Sequence, residues 1–204
     1  MRASVVQPSG EVATQCDVKG WRYMAIIETE RLLLRDFAPG DWDALNAIVS
    51  DPAVTRYMHF ARWDEQKRRQ WHARMVAEAS RPHPGVDNWA ITLRSDGQLI
   101  GWLFIGSSSD QGAAGRRGCG WALGHRFWGQ GYMTEALRAA IAYEFATLGT
   151  RRITAECQPE NLASARVMQK CGMTYDGTFY AEDFEGNGAV EQHYSITAPG
   201  VEAP

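Results

Sequence analysis

One short segment, residues 126–133, constrains the fold more than any other part of the chain. It holds a basic residue, Arg126, and two closely spaced glycines, Gly129 and Gly131, and a helix-forming run over residues 133–148 follows. Glycine lets the main chain adopt positive φ and lie close to a ligand. The first N–H groups of a helix have no intrahelical partner and carry the positive end of its dipole. The segment therefore predicts a loop that binds phosphate or pyrophosphate, after a strand over residues 118–123.

Two better-known phosphate loops do not match. A Walker A loop needs the string G-x-x-x-x-G-K-S/T, which the sequence lacks. The dinucleotide fingerprint G-x-G-x-x-G fails because Thr134 stands where its last glycine should be. The pattern Q/R-x-x-G-x-G/A does match, with Arg126, Gly129 and Gly131 at its fixed positions. Taken alone, this short pattern is just as typical of a glycine-containing surface turn.

Two further segments accompany the loop in a fixed order. Upstream, a run of charged and leucine residues covers residues 28–35 and includes Thr29 and Arg31. Downstream lies N-x-x-S-x-x-V-x-x-K-x-G-F/M, matched by Asn161, Ser164, Val167, Lys170, Gly172 and Met173. Together the three segments resemble the GNAT family, the Gcn5-related N-acetyltransferases. The upstream run resembles one branch of it, the RimJ/RimL type of ribosomal-protein N-acetyltransferase. The resemblance spans residues 29–197, most of the chain.

Composition excludes several classes of protein. The 204 residues suit one domain with a hydrophobic core. A net charge of −3 gives no general attraction to nucleic acid or anionic membranes. No apolar run approaches the ~20 residues of a membrane span. The sequence supports no metal site, because its four cysteines form no C-x-x-C pair and its five histidines are scattered. A cytoplasmic protein with reduced cysteines is expected. It is expected to be a monomer or a homodimer.

The chain is predicted to hold a single folded domain over residues 24–198. Residues 1–23 lack a hydrophobic core and contain Pro8 and Gly10, so they are expected to form a mobile extension rather than a secretory signal. Residues 199–204 are expected to be a short tail.

The hydrophobic pattern predicts a mixed α/β domain. Strands are expected at residues 32–36, 89–93, 99–105, 118–123, 153–157, 173–179 and 192–197, and helices after Asp41, at about 64–80, at 133–148 and between Asn161 and Gly172. Residues 95–97 predict a hairpin turn, and the strand–helix–strand unit over 118–157 predicts a parallel pair. The resemblance implies a sheet of about seven strands, largely antiparallel and flanked by four helices, in which the family's fourth and fifth strands splay apart.

The resemblance also implies acetyl-CoA as co-substrate, with its pantetheine arm between the splayed strands. Main-chain groups of Trp121, Ala122 and Leu123 would bind that arm, in the manner of an added strand. The amides of Gly129, Gln130, Gly131, Tyr132 and Met133 would hold the pyrophosphate, Arg126 would neutralise it, and Asn161 would bind the arm near the thioester. Arg116 and Arg117 are expected in a solvated loop, with the nucleotide 3′-phosphate as the alternative contact.

The implied chemistry is direct transfer of an acetyl group from the thioester to an amine. Met168 stands where many GNAT enzymes have a tyrosine. The RimJ/RimL branch carries a serine that can reach the thioester sulfur, and the resemblance implies this role for Ser164. The alternative is a first-turn serine bonded to its own backbone. In the RimL type an acid lies in the segment after the sixth strand, so the resemblance implies Glu182 or Asp183 as the general base. A carboxylate beside aromatic residues can have a raised pKa, which suits that role. A solvated turn, or water acting as the base, is the alternative.

The acceptor site is expected to be built from the first two helices and from the loops that face the gap between the splayed strands. Aromatic and neighbouring residues are concentrated in this region and on a nearby strand: Tyr57, Met58, His59, Phe60, Trp63, Trp71, Trp102 and Phe104. Most of them are expected to pack in the core, and a few are expected to form the floor of the acceptor pocket. With acids nearby, an amine-bearing cation is expected, for example a protein N-terminus. The alternatives are a small-molecule amine or antibiotic acetyltransferase, and a non-catalytic acyl-CoA-binding module.

Overall fold

Nine strands form one mixed sheet in the part of the chain that the structure describes. The computed structural model describes residues 5–6, 26–58, 63–79, 86–107, 115–182 and 188–201. The strands are β1 (Val5–Val6), β2 (Ile26–Glu28), β3 (Leu32–Arg35), β4 (Val86–Leu93), β5 (Leu99–Ser107), β6 (Arg116–Leu123), β7 (Arg152–Cys157), β8 (Thr174–Glu182) and β9 (Gly188–Thr197). Their order is β1-β2-β3-β4-β5-β6-β7-β9-β8, with the pairs β1–β2 and β6–β7 parallel and the others antiparallel.

Five α-helices accompany the sheet in the described residues. They are α1 (Trp42–Val49), α2 (Pro52–Thr55), α3 (Glu65–Ala79), α4 (Tyr132–Thr147) and α5 (Leu162–Lys170). The side chain of Asn161 accepts a hydrogen bond from the Ser164 N–H and so caps the start of α5. Gly172, with φ of 84°, follows the end of α5 in the left-handed conformation that stops a helix. None of the described helices has the length and apolarity needed to cross a membrane.

The predicted mixed α/β class, the hairpin at residues 95–97 and the parallel strand–helix–strand unit are confirmed. The predicted numbers of strands and helices were too low, because β1, β2 and α2 were missed. These elements have two, three and four residues, too few for a hydrophobic period to show. Glu182, predicted to follow a strand, is instead the last residue of β8, since that strand is longer than expected.

The helices divide between the two faces of the sheet. On the face that we call the α4 face, α4 packs over a core that includes Trp89, Leu103 and Ile153, each fully buried. On the opposite face, the α1 face, α1 and α3 pack over Ala90 and Trp102. Both faces of the central strands are therefore buried, which explains their nearly continuous hydrophobic sequence.

A buried charge network ties α4 to the central strands. Arg117, expected in a solvated loop or at a phosphate, lies within β6 and is 9% exposed. Its guanidinium donates to Asp87 on β4 at 3.1 Å and to Glu144 on α4 at 3.0 Å. Because a buried cation needs charged partners, Arg117 has a structural role, and both alternatives for it were wrong.

Candidate functional site

The parallel strands β6 and β7 separate along their length. They pair at only three positions, from Arg116 with Arg152 to Gly118 with Thr154, although β6 continues to Leu123. Beyond Gly118 the two strands border an opening in the sheet, which we call the β6–β7 gap. The splayed pair that the family resemblance implied is thus formed by β6 and β7.

Main-chain groups of β6 line this gap at every second residue. The N–H of Gly124 donates to the carbonyl of Ile100 on the neighbouring strand at 2.9 Å. Since successive residues of a strand point their hydrogen-bonding groups to opposite sides, even-numbered residues of β6 face β5 and odd-numbered ones face β7. Trp121 and Leu123 therefore present main-chain groups to the gap, whereas those of Ala122 face β5.

One of these groups is already engaged. The carbonyl of Leu123 accepts a hydrogen bond from the indole N–H of Trp128 at 2.7 Å. The N–H of Leu123 and both main-chain groups of Trp121 therefore remain the groups of β6 best placed for an extended ligand in the gap.

The glycine loop opens at the end of β6 and leads into α4. Gly129 and Gly131 have φ of 75° and 81°, and Gly131 is the N-cap residue of α4. No side chain caps this helix start, and residues 128–131 are exposed. Arg126 is exposed as well, with its guanidinium 4.8 Å from the ring centre of Phe127. The predicted loop thus offers exposed amides and one cation at a helix N-terminus, the arrangement that binds phosphate.

Arg31 supports the loop from the neighbouring segment, a role that sequence reasoning missed. Its guanidinium donates to the carbonyl of Gln130 at 3.0 Å and to the Glu135 carboxylate at 2.7 Å, and lies 4.4 Å from the ring centre of Tyr132. The N–H of a trans peptide points away from its carbonyl oxygen. Because Arg31 binds the carbonyl of Gln130, the N–H of the same peptide, which belongs to Gly131, is directed away from Arg31. The only sequence signal was the presence of Arg31 in the upstream motif.

Glu135 remains ionised despite its partial burial. Burial raises the pKa of its carboxyl group, but hydrogen bonds from the Thr29 hydroxyl and from Arg31 outweigh this and lower the net pKa. Because its pKa is lowered by folding, ionised Glu135 stabilises the fold at every pH above the pKa that it has in the unfolded chain. This contribution is lost as the pH falls through the lower, folded-state pKa. Near neutral pH the Arg31–Glu135 pair is therefore intact, and it leaves little net charge beside the loop.

The N-terminus of α5 lies on the β7 side of the gap. Asn161 uses its carbonyl oxygen to cap the helix at 3.2 Å from the Ser164 N–H, which leaves its amide N–H groups for a ligand. Ser164 is half-buried, and its hydroxyl has no hydrogen-bond partner in the described part of the chain. Met168 is fully buried in the core, so its position offers no polar group to the site.

Tyr57 approaches the same segment from the α1 face. Its hydroxyl lies 3.5 Å from the carbonyl oxygen of Glu160, 103 residues away in sequence. A row of ring contacts also lies on this face: Trp63 with Trp71 at 5.9 Å, Trp71 with Trp102 at 5.2 Å, and Trp102 with Phe104 at 5.4 Å between ring centres. The α1 face therefore supplies an aromatic wall, as expected for an acceptor site, while His59 and Phe60 lie outside the described residues.

Glu182 ends β8, but its side chain and the whole of Asp183 lie outside the described residues. The buried cysteines offer no alternative nucleophile, since burial raises the pKa of Cys119 far above neutrality and that of Cys171 to about 11.

Comparison with known proteins identifies relatives of this arrangement. The sequence model described as an acetyltransferase (GNAT) domain matches residues 31–174. The protein named uncharacterized N-acetyltransferase YnaD, from Bacillus subtilis, is 30% identical over 172 residues, 82% of this chain and 94% of that protein.

Solved structures agree with the sequence match. A crystal structure described as an acetyltransferase of the GNAT family from Bacillus anthracis superposes with a TM-score of 0.73 at 29% identity, covering 84% of this chain and 98% of that one. RimJ of Mycobacterium smegmatis, in complex with CoA-disulfide, has a TM-score of 0.70 at 23% identity, with 84% of each chain covered. At that identity the likeness to RimJ shows a shared fold.

Proposed function

Since this chain belongs to the GNAT family of acetyltransferases, we propose that it moves the acetyl group of acetyl-CoA to a primary amine in the manner of the RimJ/RimL branch, with a protein N-terminal α-amine as acceptor. The chain is an N-acetyltransferase, as its family membership states. The observation that carries the proposal is the β6–β7 gap, which leads to an exposed glycine loop at a helix start. A linear molecule with a diphosphate at one end fits both parts.

The coenzyme would add to β6 as a short extra strand. Its pantetheine amides can bond to main-chain groups of Trp121 and to the N–H of Leu123, which face the gap. Its diphosphate would bind the amides of Gly129, Gln130, Gly131, Tyr132 and Met133, with Arg126 beside it. Pantetheine then extends back toward Gly118, where β6 and β7 meet, so the thioester would lie between the two strands and near Asn161.

Transfer needs a neutral amine, a thioester carbonyl in reach, and a proton for the departing sulfur. The amine nitrogen bonds to the carbonyl carbon and the carbon–sulfur bond breaks. Coenzyme A thiolate is a fair leaving group, because a thiol pKa is about 8.5, and it gains from modest proton donation. Ser164 has an uncommitted hydroxyl at the start of α5, which supports it as the donor. Glu182 or Asp183 is the proposed base from the sequence, with a water relay as the alternative.

Replacing Ser164 by alanine should lower kcat at least about tenfold while leaving acetyl-CoA affinity nearly unchanged. The hydroxyl would act on the leaving sulfur in the transition state, whereas the Ser164 N–H that bonds to Asn161 survives the substitution. Release of free thiol measures kcat, and calorimetry measures acetyl-CoA binding. Ser50→Ala, which removes a hydroxyl bonded to its own helix, is the matched control. An unchanged kcat in Ser164→Ala would remove Ser164 from the mechanism.

Replacing Arg31 by glutamine should weaken acetyl-CoA binding by about fivefold to twentyfold, or about 1–2 kcal/mol. The change frees the Gln130 carbonyl and leaves the Glu135 carboxylate unpaired beside the diphosphate. Calorimetric titration checks the result, with Arg74→Gln as the control, because Arg74 pairs with Glu78 on the exposed side of α3. Equal affinity in wild type and Arg31→Gln would show that the loop does not depend on this support.

The acceptor class is tested with amines of distinct kinds. Hexapeptides beginning with alanine or serine, spermidine and glucosamine are each incubated with acetyl-CoA, and free thiol and acetylated product are measured. The proposal expects the peptides to give the highest kcat/KM. A preference for spermidine or glucosamine would assign a small-molecule acceptor. Tight acetyl-CoA binding without transfer to any of these amines would favour a coenzyme-binding module.

A further inference from the structure

Three titratable side chains that lie apart in sequence meet on the end of the sheet beside the gap. Glu156 on β7 stands directly opposite His193 on β9, and Glu191 lies two residues earlier on β9, so all three project from the same face. One ligand atom from each lies within 4.8 Å of the others. The His193 Nδ1 is 3.7 Å from Glu156 Oε1. We call these residues the Glu–His cluster.

The cluster lies on the α1 face, where the acceptor is expected. Ile153, Ala155 and Cys157 of β7 point into the core beneath α4, so the alternate residue Glu156 points to the other face. Glu156 also follows Thr154, the last residue of β7 that pairs with β6, by two positions. Its side chain therefore stands at the narrow end of the β6–β7 gap, the end toward which pantetheine would extend.

The opposite side of the gap carries an aromatic ring at this level. Continuing the register of β6 and β7 by two residues places Gly120 across from Glu156. Gly120 has no side chain, and an added Cβ there would lie 2.6 Å from the ring of Phe104. The lack of a side chain at Gly120 lets the Phe104 ring lie over β6, so the aromatic wall and the Glu–His cluster border the narrow end of the gap from its two sides. A ligand between them would lie close to the thioester.

The chemistry of the cluster suits a donor with a positive charge. The separation of 3.7 Å between His193 and Glu156 is longer than a hydrogen bond. Nε2 of His193 is buried with no hydrogen-bond partner among the described residues, and its ring packs 4.8 Å from that of Phe179. The imidazole is therefore held in place mainly by packing. Carboxylate oxygens accept hydrogen bonds, and an imidazole nitrogen that carries no proton does so as well, so the cluster offers acceptors to a ligand.

A primary ammonium group matches this set in number. It has three N–H donors in a tetrahedral arrangement, so acceptors at about 2.9 Å from its nitrogen would stand about 4.7 Å apart. The cluster has three acceptors, none more than 4.8 Å from another. Nδ1 of His193 and Oε1 of Glu156 are 3.7 Å apart, so these two side chains would separate slightly to receive an ammonium group. The amine that this family acetylates is an ammonium ion in water at neutral pH and must lose a proton before it can react.

We propose that Glu156, Glu191 and His193 form the subsite that binds the ammonium group of the acceptor, and that His193 accepts its proton. The inference rests on the proposed acetyl transfer and assigns the base to β9 instead of Glu182 or Asp183. One proton passes from the ammonium to Nδ1 of His193, which leaves a neutral amine and an imidazolium beside two carboxylates. The amine bonds to the thioester carbon and the carbon–sulfur bond breaks with its electrons on sulfur. The second proton, lost by nitrogen as the amide forms, reaches the sulfur through the Ser164 hydroxyl.

The test separates binding of the amine from proton transfer. Glu156→Gln and Glu191→Gln keep the shape and remove one charge each, so each should raise the KM for the amine at least about tenfold. His193→Gln should lower kcat at least about tenfold with a smaller change in KM. All three variants should bind acetyl-CoA within about twofold of wild type by calorimetry. The amines are the peptides, spermidine and glucosamine of the acceptor panel.

Controls identify the causes of failure. Glu28→Gln makes the same charge change on β2, near the opposite edge of the sheet, and should leave kcat and KM unchanged. Circular dichroism and thermal melts show whether each variant folds. Wild-type kinetics in His193→Gln, or a loss of kcat confined to Glu182→Gln or Asp183→Asn, would overturn the proposal. So would one equivalent of zinc retained by purified wild type, with activity lost to a chelator and restored by zinc. If wild type binds no acetyl-CoA or acetylates none of the amines, the proposed function itself is wrong.

Discussion

Replacing Gly131 by aspartate should weaken acetyl-CoA binding at least about a hundredfold, or about 2.7 kcal/mol. Gly131 is the N-cap residue of α4 with φ of 81°, and its amide belongs to the loop proposed to bind the diphosphate. A side chain there would occupy the space that the phosphate oxygens need, and its carboxylate would repel them. An ideal Cβ at Gly131 also lies 3.5 Å from the Arg31 guanidinium. The new carboxylate would therefore compete for Arg31 with Gln130 and Glu135.

Calorimetry measures this effect directly. Gly97→Asp is the matched control, because Gly97 has φ of 72°, has no atom within 4 Å of its ideal Cβ, and lies in the β4–β5 hairpin. It carries the same backbone strain and the same added charge without touching the loop. Equal acetyl-CoA affinities in the two variants would show that the diphosphate binds elsewhere. In that case the transferase geometry proposed for the β6–β7 gap would fail as well.

Replacing Arg117 by alanine should lower the free energy of unfolding by about 3–5 kcal/mol, because it leaves two buried carboxylates without their cation. Asp87 and Glu144 are 4% and 0% exposed, and both bond to this guanidinium. Urea denaturation followed by circular dichroism measures the loss. Arg126→Ala, which removes an exposed guanidinium, should cost less than about 1 kcal/mol. Equal stability in these two variants would contradict a structural role for the buried network.

The loss in Arg117→Ala should depend on pH. In the wild type, burial raises the pKa of Glu144 to about 7, although Arg117 and the Thr150 hydroxyl oppose that rise. Removal of Arg117 raises the folded-state pKa further while the unfolded value stays near 4.5. The folded variant then holds more protons than its unfolded chain, so its stability falls as the pH rises above the unfolded value. The variant should therefore be closest to wild type in mildly acidic buffer and furthest from it at pH 8.

The elements that sequence alone could predict are those with local signals. Asn161 and Gly172 mark the two ends of α5 through their own conformations, and Gly129 and Gly131 mark the loop before α4. These signals depend on residues within a few positions of one another. Strand β2 and helix α2 escaped prediction because three or four residues do not reveal a period.

The parts of the site that could not be predicted depend on contacts between distant residues. Arg31 meets Glu135 across 104 positions, and Glu156 meets His193 only because β7 and β9 adopt one particular register. A shift of that register by one residue would place the two side chains on opposite faces. The burial of Arg117 could not be predicted for the same reason, because its partners Asp87 and Glu144 lie on other elements, distant in sequence.

The short pairing of β6 with β7 has a mechanical consequence. Three residue pairs, the α4 crossover and the core beneath α4 connect strands β1 to β6 with strands β7, β8 and β9. On the proposed function, the coenzyme lies in the β6–β7 gap, makes main-chain hydrogen bonds there, and adds to the connection between the two groups of strands. In each turnover the junction of β6 and β7 would become more rigid when acetyl-CoA binds and more flexible when coenzyme A leaves. The rigidity of the junction would then depend on the occupancy of the coenzyme site.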